Sequence, residues 1–173
     1  VTNAATRAHV EQGLAHALGI AAHLAFPSLR AVVAEAVQAS LPGVELAGPE
    51  AIAGACLELL HRPEVDRSPD LEPVARYLDA GDPDARDERR VDLATTLGRL
   101  FDAYLAHRPE WAAAWRRSAP PPPDAPSDAW SWQGALFRRL VDPETGPLAP
   151  REPREPEERR RWLLLDVLDR VET

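Results

Sequence analysis

The feature that most constrains the fold is a long apolar stripe with helical spacing, which stops at an Arg-Pro pair and resumes on two tryptophans. A residue before proline is pushed out of the helical region, so Arg108 before Pro109 predicts the end of one helix. The sequence EWAAAWRR predicts a shorter helix directly afterwards. A chain built this way folds chiefly by packing helices. The predicted stripe, within residues 84–106, consists of Val91, Leu93, Leu97, Leu100, Phe101, Tyr104 and Leu105.

The remaining segments extend this helical pattern in both directions. Apolar periodicity, with prolines and glycines at the ends, predicts a mainly α fold, an irregular helical bundle with at most one short strand near residues 20–26. Gly19 is placed to end the first helix. A proline-rich loop is predicted at residues 118–127. The other helices are predicted at residues 4–18, 28–40, 49–62, 70–78, 129–142 and 155–171.

Length and composition predict one domain with a core, or one domain with a tail. The chain has 173 residues, of which 45% are apolar and 28% charged. It contains no apolar run of the roughly 20 residues that a membrane span needs and no visible signal peptide, which predicts a cytoplasmic protein. The single cysteine, Cys56, lies on an apolar helix face and is predicted to be a small core residue. The absence of methionine predicts that the chain is a fragment.

The charge balance limits how the chain could bind nucleic acid. All 20 basic residues are arginine, and the formal net charge is -8. A free-standing protein that binds the phosphate backbone of duplex DNA normally has a basic stripe. We therefore expect any DNA contact to be local, or shared with a partner.

No pattern for catalysis or cofactor binding stands out. His9, His16 and His23 recur every seven residues, but neighbours at that spacing on a helix lie about 10 Å apart, too far to share one metal ion. The carboxylates alternate with arginines, as on solvated helix faces. A chain without lysine has no phosphate-binding Walker loop. We expect no catalytic residue, no metal and no cofactor, and an inactive chain.

Aromatic side chains concentrate on either side of the proline-rich loop: Trp111, Trp115, Trp130, Trp132 and Phe137. Such residues pin helices together, anchor an interface, or stack on the bases of single-stranded DNA. Because Trp111 and Trp115 stand at i and i+4, they share one helix face, which favours packing. The prediction is a bend at Arg108 and Pro109, with Trp111 and Trp115 packed against the helix that carries Trp132 and Phe137.

Three sequence blocks resemble the RecC family, the gamma subunit of exodeoxyribonuclease V. LFDAYLAHRPEWAAAW followed by WQGALFRRLV is similar to a family signature in which a Tyr-Arg-Pro-like break precedes a Trp-containing helix, here with His107 in place of the tyrosine. LGIAAHLAFPS is similar to a Gly-Ile-Ala-Ala-Asn segment leading to Phe-Pro, with His23 in place of asparagine. VTNAATRAHVEQGLA is similar to motif Ia of superfamily 1 helicases. The blocks keep the family order over most of residues 1–142.

The resemblance implies a domain layout and a role. Residues 1–26 correspond to the end of a helicase-like domain 1A, and residues 27–173 to the helical domain 1B. The family resembles a helicase that has lost its ATPase chemistry. It works as a scaffold and strand splitter beside RecB-like and RecD-like subunits, handles single-stranded DNA, and scans the 3′-ended strand for the Chi sequence. The parent complex resembles ATP-dependent exodeoxyribonuclease V, which acts in DNA repair and recombination.

The resemblance also implies where DNA is contacted. Motif Ia points to Thr2 and Asn3, and more weakly to Thr6 and Arg7, because helix N-termini offer backbone N–H groups and short polar side chains to phosphates. N-capping and solvation account for the same residues without DNA. A second function stays open: a free-standing α-helical protein-interaction module, docking through the tryptophans and the proline-rich loop.

Overall fold

The computed structural model of the chain describes residues 4–20, 24–27, 29–40, 44–149 and 161–163. It divides the chain into two units, residues 1–43 and 44–173. The described residues contain eight α-helices, two short 3-10 helices and two strands, which confirms the mainly α prediction. In chain order they are α1 Ala4–Leu18, α2 Leu29–Ser40, β1 Val44–Leu46, α3 Pro49–Leu60, α4 Pro63–Arg67, a 3-10 helix Pro69–Leu71, α5 Glu72–Asp79, a 3-10 helix Pro83–Ala85, α6 Arg86–His107, α7 Pro109–Arg116, α8 Ser127–Val141 and β2 Arg161–Leu163.

The first unit contains α1 and α2. Helix α1 ends before Gly19, whose φ of +77° is the left-handed conformation that ends many helices. Helix α1 buries none of its residues, whereas α2 buries Val37. The strand expected near residues 20–26 is not present at Ile20 or at residues 24–27. An extended segment becomes a strand only when a second segment pairs with it, and the strands of the described residues lie elsewhere.

The second unit is built on the packing of α3 along α6. Helix α3 begins with Pro49, a residue suited to the first helical position because its missing N–H needs no partner there. Its apolar face buries Ile52, Cys56 and Leu59. Cys56 is fully buried, which confirms it as a core residue and raises the pKa of its thiol to about 12. None of the helices in the described ranges is both long and apolar enough to cross a membrane.

Helix α6 carries most of the predicted stripe into the core. Leu97, Phe101 and Leu105 are buried. Val91 is an exception, since it is 50% exposed. The reason is its position on the helix: Val91 shares an i ± 4 row with Asp87 and Thr95, and both of these are exposed.

The two strands form a parallel pair that joins distant parts of the second unit. Val44 is aligned with Arg161, and Leu46 with Leu163. The prediction of a helix at residues 155–171 is therefore wrong at residues 161–163. The local pattern favours a helix there, but pairing with a distant segment makes these residues a strand. Parallel strands need a connection of a dozen residues or more. Here that connection contains the helices from α3 to α8.

Candidate functional site

The helix break lies between α6 and α7. Helix α6 ends at His107, and Arg108 leaves the helical region with φ -143° and ψ 51°. Its backbone N–H still donates to the Tyr104 carbonyl at 2.7 Å, while its own carbonyl accepts from the N–H of Trp111 at 2.9 Å. Pro109 is the first residue of α7, where its ring fits and no donor is lost. The Arg-Pro pair therefore ends one helix and starts the next without leaving either of these backbone groups unpaired.

Helix α7 folds back so that its two tryptophans face α6. Trp111 is 6% exposed and Trp115 is 1% exposed. The ring centre of Tyr104 lies 5.1 Å from that of Trp111 and 5.7 Å from that of Trp115. Phe101 meets Trp115 edge-on at 6.0 Å. These spacings are those of favourable aromatic pairs.

Helix α8 closes the other side of Trp115. The ring of Trp130 lies 5.0 Å from Trp115 and 5.9 Å from Trp111, and the ring of Phe137 lies 5.5 Å from Trp115. A Cβ atom added to Gly134 would stand 2.9 Å from Nε1 of Trp115 and closer still to Cδ1. The indole thus occupies space that only a glycine leaves open. We call Phe101, Tyr104, Trp111, Trp115, Trp130 and Phe137 the aromatic cluster.

The tryptophan of α8 that joins this cluster is Trp130. Trp132, the residue singled out from the sequence, is only partly buried against the core, and among the described residues no ring contact joins it to the cluster. Spacing could have distinguished the two. Trp130 and Phe137 are seven residues apart, close to two full helical turns, so they share a face, whereas a separation of five residues puts Trp132 on a different one.

Polar atoms are enclosed with the rings. Gln133 is 5% exposed and shares a hydrogen bond with Tyr104. Burial raises the pKa of the Tyr104 hydroxyl, and the hydrogen bond to Gln133 partly opposes that effect. Among the described residues, Nε1 of Trp111, Nε1 of Trp115 and Oε1 of Gln133 have no hydrogen-bond partner. The cluster is thus a packed centre in which the indole N–H groups of Trp111 and Trp115 are buried.

Arg108 links the break to the loop between α7 and α8. Its Nη1 donates to Oδ2 of Asp124 at 2.7 Å, and its guanidinium lies 5.4 Å from the ring centre of Trp111. A carboxylate and an aromatic face are both favourable partners for arginine. The loop at residues 117–126 is therefore tied to the same residue that ends α6.

The residues proposed for DNA contact lie apart from the aromatic cluster in the sequence. Thr2 and Asn3 are outside the described residues. Thr6 and Arg7 are exposed on α1. Nε of Arg7 donates to Oε1 of Glu11 at 2.9 Å, and its guanidinium lies 5.3 Å from the ring centre of Phe26. A DNA role for these residues stays a prediction.

The histidines provide no metal site in the described part of the chain. His9 and His16 are exposed on α1, and His23 lies outside the described residues. No group of three or more His, Cys, Asp or Glu side chains among the described residues could hold a metal ion.

Replacing Pro109 with alanine tests the break. Alanine adds a backbone N–H and relaxes the restriction on Arg108, so α6 can continue through the break. Pro109 is only partly buried, so the substitution removes little packed volume. We expect the free energy of unfolding to fall by about 1 kcal/mol, the centre of the usual range for point substitutions. Urea unfolding followed by circular dichroism measures it, and a loss as large as that of a buried tryptophan would contradict this account.

The fold and the cluster define a helical domain, set between two parallel strands, whose centre is an aromatic cluster at a helix break. Residues 1–163 match the family model described as RecC, N-terminal domain, so the chain belongs to the RecC family. It is 26% identical over 147 residues to the RecBCD enzyme subunit RecC of Haemophilus influenzae. That match covers 74% of this chain and 13% of the relative's length. No solved structure matches the chain.

Proposed function

We propose that this chain is a scaffold and DNA-handling region, without catalysis of its own, of a RecC subunit in a RecBCD helicase-nuclease. In this role it acts in the repair of double-strand breaks by homologous recombination and in Chi-regulated unwinding and degradation of DNA. Membership in the RecC family over residues 1–163 is the observation that carries the proposal. The partners are RecB-like and RecD-like subunits and single-stranded DNA, and the setting is the cytoplasm.

The burial of the aromatic cluster supports a scaffold role. A platform for single-stranded bases needs exposed ring faces. Trp111, Trp115 and Trp130 are each no more than 6% exposed, and their rings contact one another inside the cluster. The same burial argues against the alternative, a free-standing interaction module that docks through its tryptophans. Such a module would have to rely on the proline-rich loop.

The parallel strand pair supports an inserted domain. Strand β1 precedes the helices α3 to α8, and β2 follows them. A helical body whose two ends return to neighbouring strands can be inserted in a larger parallel sheet. Such an insertion is the arrangement expected of a 1B-like domain. As part of the proposal, we assign residues 1–26 to a 1A segment and residues 27–173 to the 1B-like domain.

Co-purification tests the proposal. The intact subunit that contains this chain is expressed with the RecB-like and RecD-like subunits of the same organism, with an affinity tag on the RecB-like subunit only. We expect the three subunits to elute as one complex that unwinds and degrades linear duplex DNA with ATP, and we expect both activities to fall when this subunit is omitted.

Other outcomes of this experiment contradict the proposal or favour the alternative function. A subunit that elutes alone, with the tagged partner active without it, contradicts the proposal. If a 173-residue chain then captures a protein and loses it when Pro121 and Pro123 become alanine, the interaction module is favoured.

A further inference from the structure

A cleft of about 310 Å³ lies between α8, the loop that follows α7 and the first 3-10 helix. Three of the residues that line it carry side-chain hydrogen-bond donors: Ser118, Ser131 and Arg138. The two serines are exposed and the arginine is half-buried. The cleft therefore offers several donors, one of them charged, to a group that can accept hydrogen bonds.

Arg138 has fewer partners than other half-buried arginines of the chain. Among the described residues it has no ion pair, and its one hydrogen bond runs from Nη1 to the Trp115 carbonyl at 3.3 Å. Four of its five N–H groups are left for a ligand. A charge that is partly withdrawn from water is stabilised by an opposite charge, so an anion is the expected ligand. Five other half-buried arginines have either a carboxylate or two oxygen atoms as partners: Arg62, Arg86, Arg89, Arg90 and Arg139.

Ser118 occupies a backbone conformation that favours glycine. Its φ is +53°, and no other non-glycine residue in the described ranges has a positive φ. Its N–H donates to the Trp115 carbonyl at 3.1 Å, and the N–H of Ala119 donates to the Ala114 carbonyl at 2.9 Å. This is a helix ending in which glycine is usual, because a Cβ atom costs free energy at positive φ. A role for the serine side chain in the cleft accounts for a residue that the fold alone disfavours.

One carbonyl group brings Ser118 and Arg138 together. The Trp115 carbonyl accepts from the N–H of Ser118 and from Nη1 of Arg138. Trp115 is 1% exposed at the centre of the aromatic cluster. The packing of the cluster therefore fixes the position of both donors, and a ligand does not have to order them.

The remaining walls of the cleft limit the kind of anion that fits. Trp130 and Pro121 add apolar surface, and Asp70 adds an exposed carboxylate. Together with the formal net charge of -8, Asp70 opposes a ligand that carries many negative charges. A single carboxylate needs only one guanidinium, whose fork matches its two oxygen atoms. An acidic side chain on an otherwise apolar protein segment satisfies both conditions.

We propose that this cleft docks an Asp or Glu side chain of a partner subunit, with Arg138 pairing with the carboxylate and Ser118 and Ser131 donating to it. The inference rests on the proposed function, because it needs a partner protein, and it adds the surface and the chemistry of one subunit contact. A nucleic-acid strand is the competing occupant, and the experiment separates the two.

The affinity between subunits tests this inference. The tagged RecB-like subunit, together with the RecD-like subunit, is treated with nuclease and immobilised, and the dissociation constant of the intact subunit that contains this chain is measured by biolayer interferometry. Arg138→Gln should raise the dissociation constant by about tenfold, the usual effect of losing a hydrogen bond to a charged group. Asp70→Asn should lower it, because a like charge leaves the cleft.

Ser118→Gly should change docking and stability in opposite directions. It removes a hydroxyl donor, so we expect the dissociation constant to rise by about threefold. It also removes the Cβ atom at positive φ, so the midpoint of urea unfolding of the same variant should rise. A serine that served only the fold would not separate these two effects.

A matched control makes the same charge change elsewhere. Arg76 on α5 is 74% exposed and pairs with Glu72, so Arg76→Gln should leave the dissociation constant unchanged. Circular dichroism verifies that each variant keeps its fold. If Arg138→Gln does not fold, Asp70→Asn and Ser118→Gly, which alter exposed residues, decide the question.

Equal affinity of Arg138→Gln and the unsubstituted subunit for the partners would overturn the inference. So would a variant that binds the partners normally but binds labelled oligo-dT more weakly, since the cleft would then serve nucleic acid. Either result, with the unsubstituted subunit still bound to its partners, removes only the docking cleft. An unsubstituted subunit that does not bind its partners removes the proposed function, and this inference with it.

Discussion

Replacing Trp115 with alanine is expected to lower the free energy of unfolding by about 3–5 kcal/mol, the usual cost of truncating a buried tryptophan. Trp115 is 1% exposed and has ring contacts with Phe101, Tyr104, Trp130 and Phe137. Its removal leaves a cavity that borders three helices. Urea unfolding followed by circular dichroism at 222 nm, a standard helix signal, measures the loss. Whole domains are stable by about 5–15 kcal/mol, so this one side chain carries a large share.

Two matched variants separate packing from a general effect of losing an indole. Trp132→Ala removes a tryptophan from the same helical region that is only partly buried, and we expect a clearly smaller loss. Trp115→Phe keeps an aromatic ring and removes Nε1, which has no hydrogen-bond partner among the described residues. It should therefore cost less than Trp115→Ala. Equal losses from Trp115→Ala and Trp132→Ala would contradict the central position of Trp115.

Helix boundaries set by proline or glycine were predictable from the sequence. Helix α3 begins at Pro49, α7 begins at Pro109, and α1 stops before Gly19. These residues act through the backbone alone: proline restricts its own φ and the residue before it, and glycine accepts a positive φ. Such effects need no knowledge of the tertiary fold.

Which residues pack together was only partly predictable. The i, i+4 spacing of Trp111 and Trp115 predicts that they share a face, because that spacing is a property of the helix itself. The face of α8 that meets them depends on how two helices cross. The sequence prediction named Trp132, and only the spacing of Trp130 with Phe137 could have identified Trp130 instead. Gly134, which gives Trp115 its space, is indistinguishable in sequence from any other helical glycine.

Long-range pairing was beyond the reach of local patterns. Strand β2 lies within a segment whose composition favours a helix, and it is a strand because Val44–Leu46 pairs with it. In the sequence, Arg86 is likewise only one more charged residue in a run of alternating acidic and basic residues. In the folded chain it joins Asp66 and Asp79, which belong to two other helices. Both cases depend on residues that come together only after folding.

The close approach of α3 and α6 leads to the second large effect. Gly98 is buried on α6, and a Cβ atom added there would stand 2.7 Å from Cβ of Ala53, 2.8 Å from N of Ala53, and closer still to the carbonyl oxygen of Pro49. Two of these three atoms are backbone, so a side-chain rotation cannot relieve the contact. The helices would have to separate.

We therefore expect Gly98→Ala to lower the free energy of unfolding by about 1–3 kcal/mol, the usual cost of overpacking a core, although alanine is the better helix former. Gly54→Ala is the matched control. Gly54 is exposed on α3, and nothing lies within 4 Å of an added Cβ, so only helix propensity changes and stability should rise by about 0.5–1 kcal/mol. Opposite signs for the same substitution on two packed helices would isolate the contact between them. A gain in stability from both substitutions, measured by urea unfolding, would mean that α3 and α6 do not approach this closely.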